Sequence, residues 1–181
     1  MKRGTLFLVV GPSGAGKDTL LDAARARLAG DSRFFFPART ITRPTDAGNE
    51  AHNAVTDAEF SPLSAAGGFL LEWKAHNLSY GIPIAAAEAL NAGRHTVVNV
   101  SRSVLDIARR RFQPVQIVSI VVPVQILRTR LAERGRELAD DIEHRVMRAA
   151  AFNVAGPDVT IVQNDSTIDV ALTRFLGALG V

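Results

Sequence analysis

Residues 5–19 read TLFLVVGPSGAGKDT, an apolar run followed by a glycine-rich loop and a lysine. The run at 5–10 is short, continuous and rich in β formers, the pattern of a strand buried on both faces. Gly11, Gly14 and Gly16 let the backbone turn its N–H groups inward around an anion. The following helix adds its N-terminal dipole, and Lys17 neutralises charge on the β- and γ-phosphates of a nucleotide. Gly11, Pro12, Ser13, Gly14, Ala15, Gly16, Lys17, Asp18 and Thr19 therefore read as a nucleotide-phosphate loop. The plainer alternative is a strand–helix turn that binds nothing. Placement between a buried strand and a helix, with lysine at the right spacing, argues against it.

Position 18 departs from the motif, because Asp stands where Ser or Thr normally meets Mg²⁺. A first-turn acid gains only ~0.3–1 kcal/mol from the helix dipole. Repulsion from bound phosphates opposes that gain unless a cation lies between them. Asp18 is accordingly read as a Mg²⁺ ligand, a role carboxylate oxygens commonly take. Many phosphate-loop enzymes also carry an Asp at the end of a later strand to help hold the metal. Here the candidate strand HTVVNVS (95–101) ends in Asn99 and Ser101, with no acid. The carboxylate has in effect moved to position 18. Thr19 is a poor substitute, since one further helical residue turns its side chain by ~100°.

A chain of 181 residues, 47% hydrophobic and 22% charged, suits one soluble domain with a sizeable core. Its net charge of +3 is too mild to argue for a nucleic-acid partner. There are no cysteines, which excludes disulfides, thiolate metal sites and cysteine nucleophiles and fits a cytoplasmic location. The N-terminus MKRGTLFLVVG imitates a signal peptide, but its apolar run is short and leads into the phosphate loop. It is read as unprocessed. No stretch approaches the ~18–20 apolar residues of a membrane span.

Further buried strands are expected at 95–101, 115–122 and 159–164, each separated from the next by helical spacing. Such alternation implies a parallel sheet with helices on both faces. The segment 34–83 breaks the alternation and is expected to form an inserted lobe. It contains a helix capped by Thr56 and Glu59, weakened by Pro62, and two extended segments joined by a short turn at Asn77. The core is then 1–33 with 84–181, and a short lid is expected near 134–140.

Arg39 and Arg43 lie two residues on either side of Ile41, and in an extended segment would share a face. Two guanidiniums there suit a phosphorylated acceptor, with a solvated β edge as the alternative. The stretch RTRLAERGRE brings Arg128, Arg130, Arg134 and Arg136; Arg145 and Arg148 follow on a helix opened by Asp140 and Glu143 in capping-box spacing. Alone this is a salt-bridged helix pair. Beside a phosphate loop it reads as a lid closing arginines over the transferring phosphoryl group. No general base stands out, and transfer between phosphates needs none. Among the histidines, His52 and His76 fall in the lobe, whereas His95 and His144 read as structural or surface.

The order of the phosphate loop, TITR, EW with YGIP, RGRE, RxxRAA and VQND resembles the guanylate kinase superfamily along nearly the whole chain. More closely, GPSGAGKD, RTITRP, WKAHNLSYGIP, VVNVSR and RGRE resemble the ribose 1,5-bisphosphate phosphokinases, where KD replaces KS or KT. That family is associated with phosphonate breakdown and makes 5-phospho-α-D-ribose 1-diphosphate from ATP. The resemblance implies a guanylate kinase-like α/β fold of the P-loop NTPase type, with ATP and Mg²⁺ as cofactors. It implies Lys17, Arg134, Arg136 and Arg145 in catalysis, and adenine contacts near Asn164. The acceptor would meet Arg39, Arg43, His52, Glu72, His76, Tyr80 and Arg102. Several residues depart from the guanylate kinase pattern: Ile82 stands where a hydroxyl would read guanine, Asn99–Ser101 replaces an acidic strand end, and Asp46 falls near the second acceptor arginine. Glu72, conversely, matches guanylate kinases, and NVSR differs from the NGSR expected of the sugar kinases.

The sequence thus favours an ATP- and Mg²⁺-dependent ribose 1,5-bisphosphate kinase, cytoplasmic, with no nucleic-acid or membrane partner. A guanylate kinase stays open, and behind it a non-catalytic binding module of the same fold. A homodimer is compatible with the sequence, which does not decide it.

Overall fold

The computed structural model describes residues 2–44, 51–133 and 139–181, with residues 139–141, 145, 148 and 150 described through the backbone alone. The opening apolar run forms β1, Leu6–Val10, and every residue of it is buried. Its neighbours explain why. A five-stranded sheet runs in the order β2 (Phe34–Phe35), β7 (His95–Asn99), β1, β8 (Val115–Val121), β9 (Val159–Gln163). β1 is the middle strand, and a strand flanked on both sides with both faces covered must be apolar throughout. The pairs β2–β7 and β8–β9 are parallel, the latter in register from Ile117↔Val159 to Val121↔Gln163.

Two expectations are corrected by this sheet. The segment 159–164 is not a buried strand: β9 is at the sheet edge and buries only Val162, while Ile161 is exposed. Its composition, VTIV, is that of an interior strand, and apolar content does not report whether a partner lies on the second side. The expected start of the lobe at 34 also moves. Phe34 is buried and pairs with His95, so Phe34–Phe35 belongs to the five-stranded sheet. The lobe's own sheet begins only at Thr40, beyond Pro37, which cannot donate to a ladder.

The chain divides into two compact units, Met1–Leu8 with Leu28–Gln116, and Val9–Arg27 with Ile117–Val181. The first contains a four-stranded sheet in the order β4 (Asn53–Ala54), β3 (Thr40–Ile41), β6 (Leu78–Pro83), β5 (Phe69–Ala75). β5 and β6 form an antiparallel hairpin, and the turn at His76 and Asn77 has φ of 53° and 59° at the two positions. Positive φ at both central residues is the turn whose twist matches a hairpin. Helix α2, Asp57–Ala65, carries the expected capping box: Thr56 Oγ1 accepts from Glu59 N, and Glu59 Oε2 accepts from Thr56 N at 2.7 Å. Those two bonds satisfy orphan donors and hold the helix although Pro62 lies inside it. Helix α3 (Ala85–Asn91) packs on β7, and α4 (Leu105–Arg111) follows a 3₁₀ turn at Arg102–Val104.

The second unit holds the glycine-rich loop, α1 (Lys17–Arg27), α5 (Val124–Glu133), α6 (Ala139–Ala150) and α7 (Ile168–Ala178). α7 packs on both α1 and β9. α5 and α6 share an apolar seam of Leu127, Leu131 and Val146, with Ile142 and Ala149 against it. No helix among the described residues is long and apolar enough to cross a membrane.

Candidate active site

The loop of residues 11–16 joins β1 to α1, as its glycines require. Gly14 and Gly16 have φ of 87° and 84°, values that L side chains rarely adopt. Space excludes a side chain as well. A Cβ on Gly14 would stand 2.8 Å from Leu127 Cδ1, and one on Gly16 would stand 2.5 Å from Asn164 Nδ2. Lys17 Nζ donates to the carbonyls of Gly11, at 2.8 Å, and Pro12, at 3.0 Å. The ammonium is thereby held over its own loop, where phosphate oxygens would compete for it.

These residues suit a triphosphate: a backbone curled by positive-φ glycines, a helix N-terminus and a restrained lysine. They suit Mg²⁺ in a particular way. Asp18 is half-buried in the first turn of α1, while Thr19 is exposed. No cluster of three or more His, Cys, Asp or Glu side chains that could hold a metal occurs among the described residues. Mg²⁺ needs no such cage, since it is commonly held by one or two carboxylates with substrate phosphates and water.

Asn164 follows β9 and is buried, with 5% of its surface exposed. Its Nδ2 donates to the carbonyl of Ala15 at 2.7 Å. The amide nitrogen of the side chain expected to meet adenine thus donates to the phosphate loop. Beside it, Arg174 Nη1 donates to Asp165 Oδ1 at 2.6 Å, and this bond holds the Asp165 carboxyl below its usual range.

Of the lid arginines, Arg134 and Arg136 lie outside the described residues, and Arg145 sits on α6 with its side chain undescribed. Arg128 has a different employment. Its guanidinium donates to both Glu143 oxygens, at 2.8 and 3.0 Å, bracing α5 against α6. The expected capping partnership of Asp140 with Glu143 lies outside the described residues, since the side chain of Asp140 is undescribed. Arg128 lowers the Glu143 carboxyl pKa through the same contact. His144 is exposed on α6.

In the other unit, Arg39 and Arg43 are held by different means. Arg39 Nη1 donates to the Asn99 carbonyl at 3.3 Å, and its guanidinium lies over Tyr80, 5.5 Å from the ring centre, and Trp73 at 6.0 Å. Those two rings stand opposite one another across the hairpin and stack 5.3 Å apart, 2° from parallel. The 3₁₀ turn that begins at Arg102 packs against β5, with Arg102 itself exposed.

Arg43 is gripped by His52, which is buried. His52 Nε2 lies 3.1 Å from the Arg43 carbonyl, and Nδ1 lies 3.4 Å from Arg43 Nη2. A carbonyl only accepts, so Nε2 must carry the proton and Nδ1 must accept from the guanidinium. Arg43 Nε is buried with no hydrogen-bond partner among the described residues, a donor that an anion would satisfy.

Glu72 and His76 stand apart from this group. Glu72 precedes Trp73 in β5, so it faces the opposite side of the hairpin from Trp73 and Tyr80. Its carboxylate accepts from Ser64 Oγ of α2 at 3.0 Å, and with Lys74 it lines a cavity of about 980 Å³ between α2 and the hairpin. His76 is exposed in the hairpin turn. His95 is structural: Nδ1 accepts from Thr5 N at 3.0 Å, and burial, aided by Arg33, pushes its pKa down.

A ribose 1,5-bisphosphate phosphokinase from Agrobacterium fabrum is 45% identical over 166 residues, covering 92% of this chain and 91% of its own length. The chain belongs to the ribose 1,5-bisphosphate phosphokinase family. A second member, from Acidiphilium cryptum, is 48% identical over 178 residues and is covered to 93%. Other relatives are longer. The chain spans 29% of a bifunctional ribose 1,5-bisphosphokinase–thymidine phosphorylase from Cupriavidus pinatubonensis, at 44% identity, and 26% of another from Azorhizobium caulinodans, at 41%. No protein-family model matches. Among solved structures, a guanylate kinase from Anaplasma phagocytophilum superposes with a TM-score of 0.70 over 99% of this chain and 86% of its own, at 16% identity. That likeness establishes a guanylate kinase-like fold for this family member, and the fold alone.

Proposed function

We propose that this protein transfers the γ-phosphoryl group of ATP to the 1-phosphate of ribose 1,5-bisphosphate, giving 5-phospho-α-D-ribose 1-diphosphate and ADP. The observation that carries the reading is the near full-length relationship, at 45–48% identity, to kinases named for that substrate. The site chemistry supports it. An oxygen of the acceptor's 1-phosphate attacks the γ-phosphorus, and the bond from that phosphorus to the bridging oxygen breaks to release ADP. The nucleophile is already ionised at neutral pH, so positioning and charge neutralisation carry the catalysis.

Lys17 and the loop amides hold the donor phosphates, and Asp18 ligates Mg²⁺. Mg²⁺, when bound, would supply charge neutralisation to the transferring phosphoryl group. Arg39, Arg43 and Arg102 take the acceptor's phosphates, with His52 fixing Arg43. Arg134 and Arg136, on a lid near 134–140, and Arg145 on α6 belong in this reading to the transferring group. A cytoplasmic location, small-molecule partners and a role in phosphonate breakdown accompany it, and a homodimer is compatible with it.

The test supplies the full chain with Mg-ATP and either ribose 1,5-bisphosphate or GMP, follows ADP, and identifies the product by mass spectrometry. Ribose 1,5-bisphosphate should be consumed and GMP should not; turnover of GMP alone would sink the proposal. In the same assay Asp18→Ala should need several-fold more Mg²⁺ for half-maximal rate. An unchanged Mg²⁺ titration would remove Asp18 from the metal site.

A further inference from the structure

The Ala15–Asn164 contact joins residues 149 positions apart, and no role in nucleotide recognition by contact with the base accounts for it. The geometry around it is constructed on every side. Asn164 N donates to the Val121 carbonyl at 2.8 Å, carrying the β8–β9 register one residue beyond the strand. Arg174 Nη1 donates both to Gln163 O and to Asp165 Oδ1, bracketing Asn164 in sequence. The side chain is buried, and Gly16 has no Cβ to stand in its way. In a trans peptide the carbonyl and the following N–H point in opposite directions. Holding Ala15 O toward Asn164 therefore turns the Gly16 N–H to the other side, where the loop's amides would meet an anion.

We propose that Asn164 is a positioning residue of the phosphate loop: its amide fixes the Ala15–Gly16 peptide so that the Gly16 N–H is presented to the donor's phosphate chain. The inference rests on the reading of residues 11–18 as the ATP-phosphate site. It gives Asn164 a task independent of the nucleotide base.

Inorganic tripolyphosphate, which has phosphates and no base, separates the alternatives. Binding of Mg-ATP and of Mg-tripolyphosphate would be measured by calorimetry for wild type, Asn164→Ala and Asn164→Asp, with thermal melting to establish folding. Loss of one buried hydrogen bond should weaken both ligands alike, by roughly tenfold in Asn164→Ala. Asn164→Asp keeps the shape but sets a carboxylate against a carbonyl. Its affinity relative to wild type should fall at neutral pH and recover on acidification, when the protonated carboxyl can donate to Ala15 O. That recovery keeps the test valid if the alanine variant folds poorly. Weakened ATP binding with wild-type tripolyphosphate binding would overturn the inference in favour of base contact, and so would unchanged binding of both. A wild-type protein that took up neither ligand would overturn the phosphate-loop reading itself, and the inference with it.

Discussion

Lys17 and Arg43, two cations that the proposed reaction assigns to donor and acceptor phosphates, are supported in contrasting ways. Lys17 is tied to carbonyls of its own loop, six and five residues away in sequence. Arg43 depends on His52, nine residues on. Arg39 depends on partners further still: the Asn99 carbonyl and the rings of Trp73 and Tyr80. A phosphate loop is a local device whose geometry travels with its motif. An acceptor site in a small sheet is assembled from strands, and its residues matter only in combination.

The contrast can be broken by substitution. Lys17→Ala should have the largest effect, lowering kcat by roughly 10²–10³-fold, because it removes charge from the transferring phosphates. Arg43→Ala should instead raise the KM for ribose 1,5-bisphosphate by about 10–100-fold, the worth of a charge-assisted hydrogen bond. It should leave the KM for ATP near wild type. An equal rise in both constants would mean that the two cations do not serve separate substrates.

A smaller effect concerns stability. A Cβ on Gly81 would stand 2.4 Å from Phe69 Cδ1, and Phe69 stacks on Phe60 of α2 at 4.6 Å. Gly81→Ala should therefore cost about 1–3 kcal/mol through overpacking beneath the hairpin. Gly30→Ala, where a Cβ meets nothing within 4 Å, should stay within about 0.5 kcal/mol. Equal melting temperatures for the two variants would show that Phe69 yields freely and that the lobe is less tightly built than its packing implies.

Much of the donor side was legible in the sequence. GxxxxGK after a buried strand located the loop, and alternating apolar strands and helices gave the α/β class. The Thr56–Glu59 capping box and the turn at Asn77 were readable because each involves residues within a few positions of one another. The acceptor side was legible only as a list of residue types. Glu72 and Tyr80 both looked suitable, yet strand alternation puts them on opposite faces of one hairpin. His52 was read as a substrate contact, and nothing in the sequence hinted that its ring nitrogens lie within reach of Arg43. Trp73 gave no signal for its place beside Arg39, because its stacking partner lies on the neighbouring strand.

By itself, then, the sequence determined the phosphate loop, the Thr56–Glu59 helix cap, the hairpin turn and the choice of Asp18 after the lysine, all written in short windows where backbone preference and residue spacing decide. Tertiary structure alone decided that β9 is an edge strand, that Glu143 braces Arg128, and that Asn164 holds Ala15 across 149 residues. The physical reason is the same in each case. Whether an apolar strand has a second neighbour, or a buried amide finds a carbonyl, depends on which distant segment the fold brings alongside it.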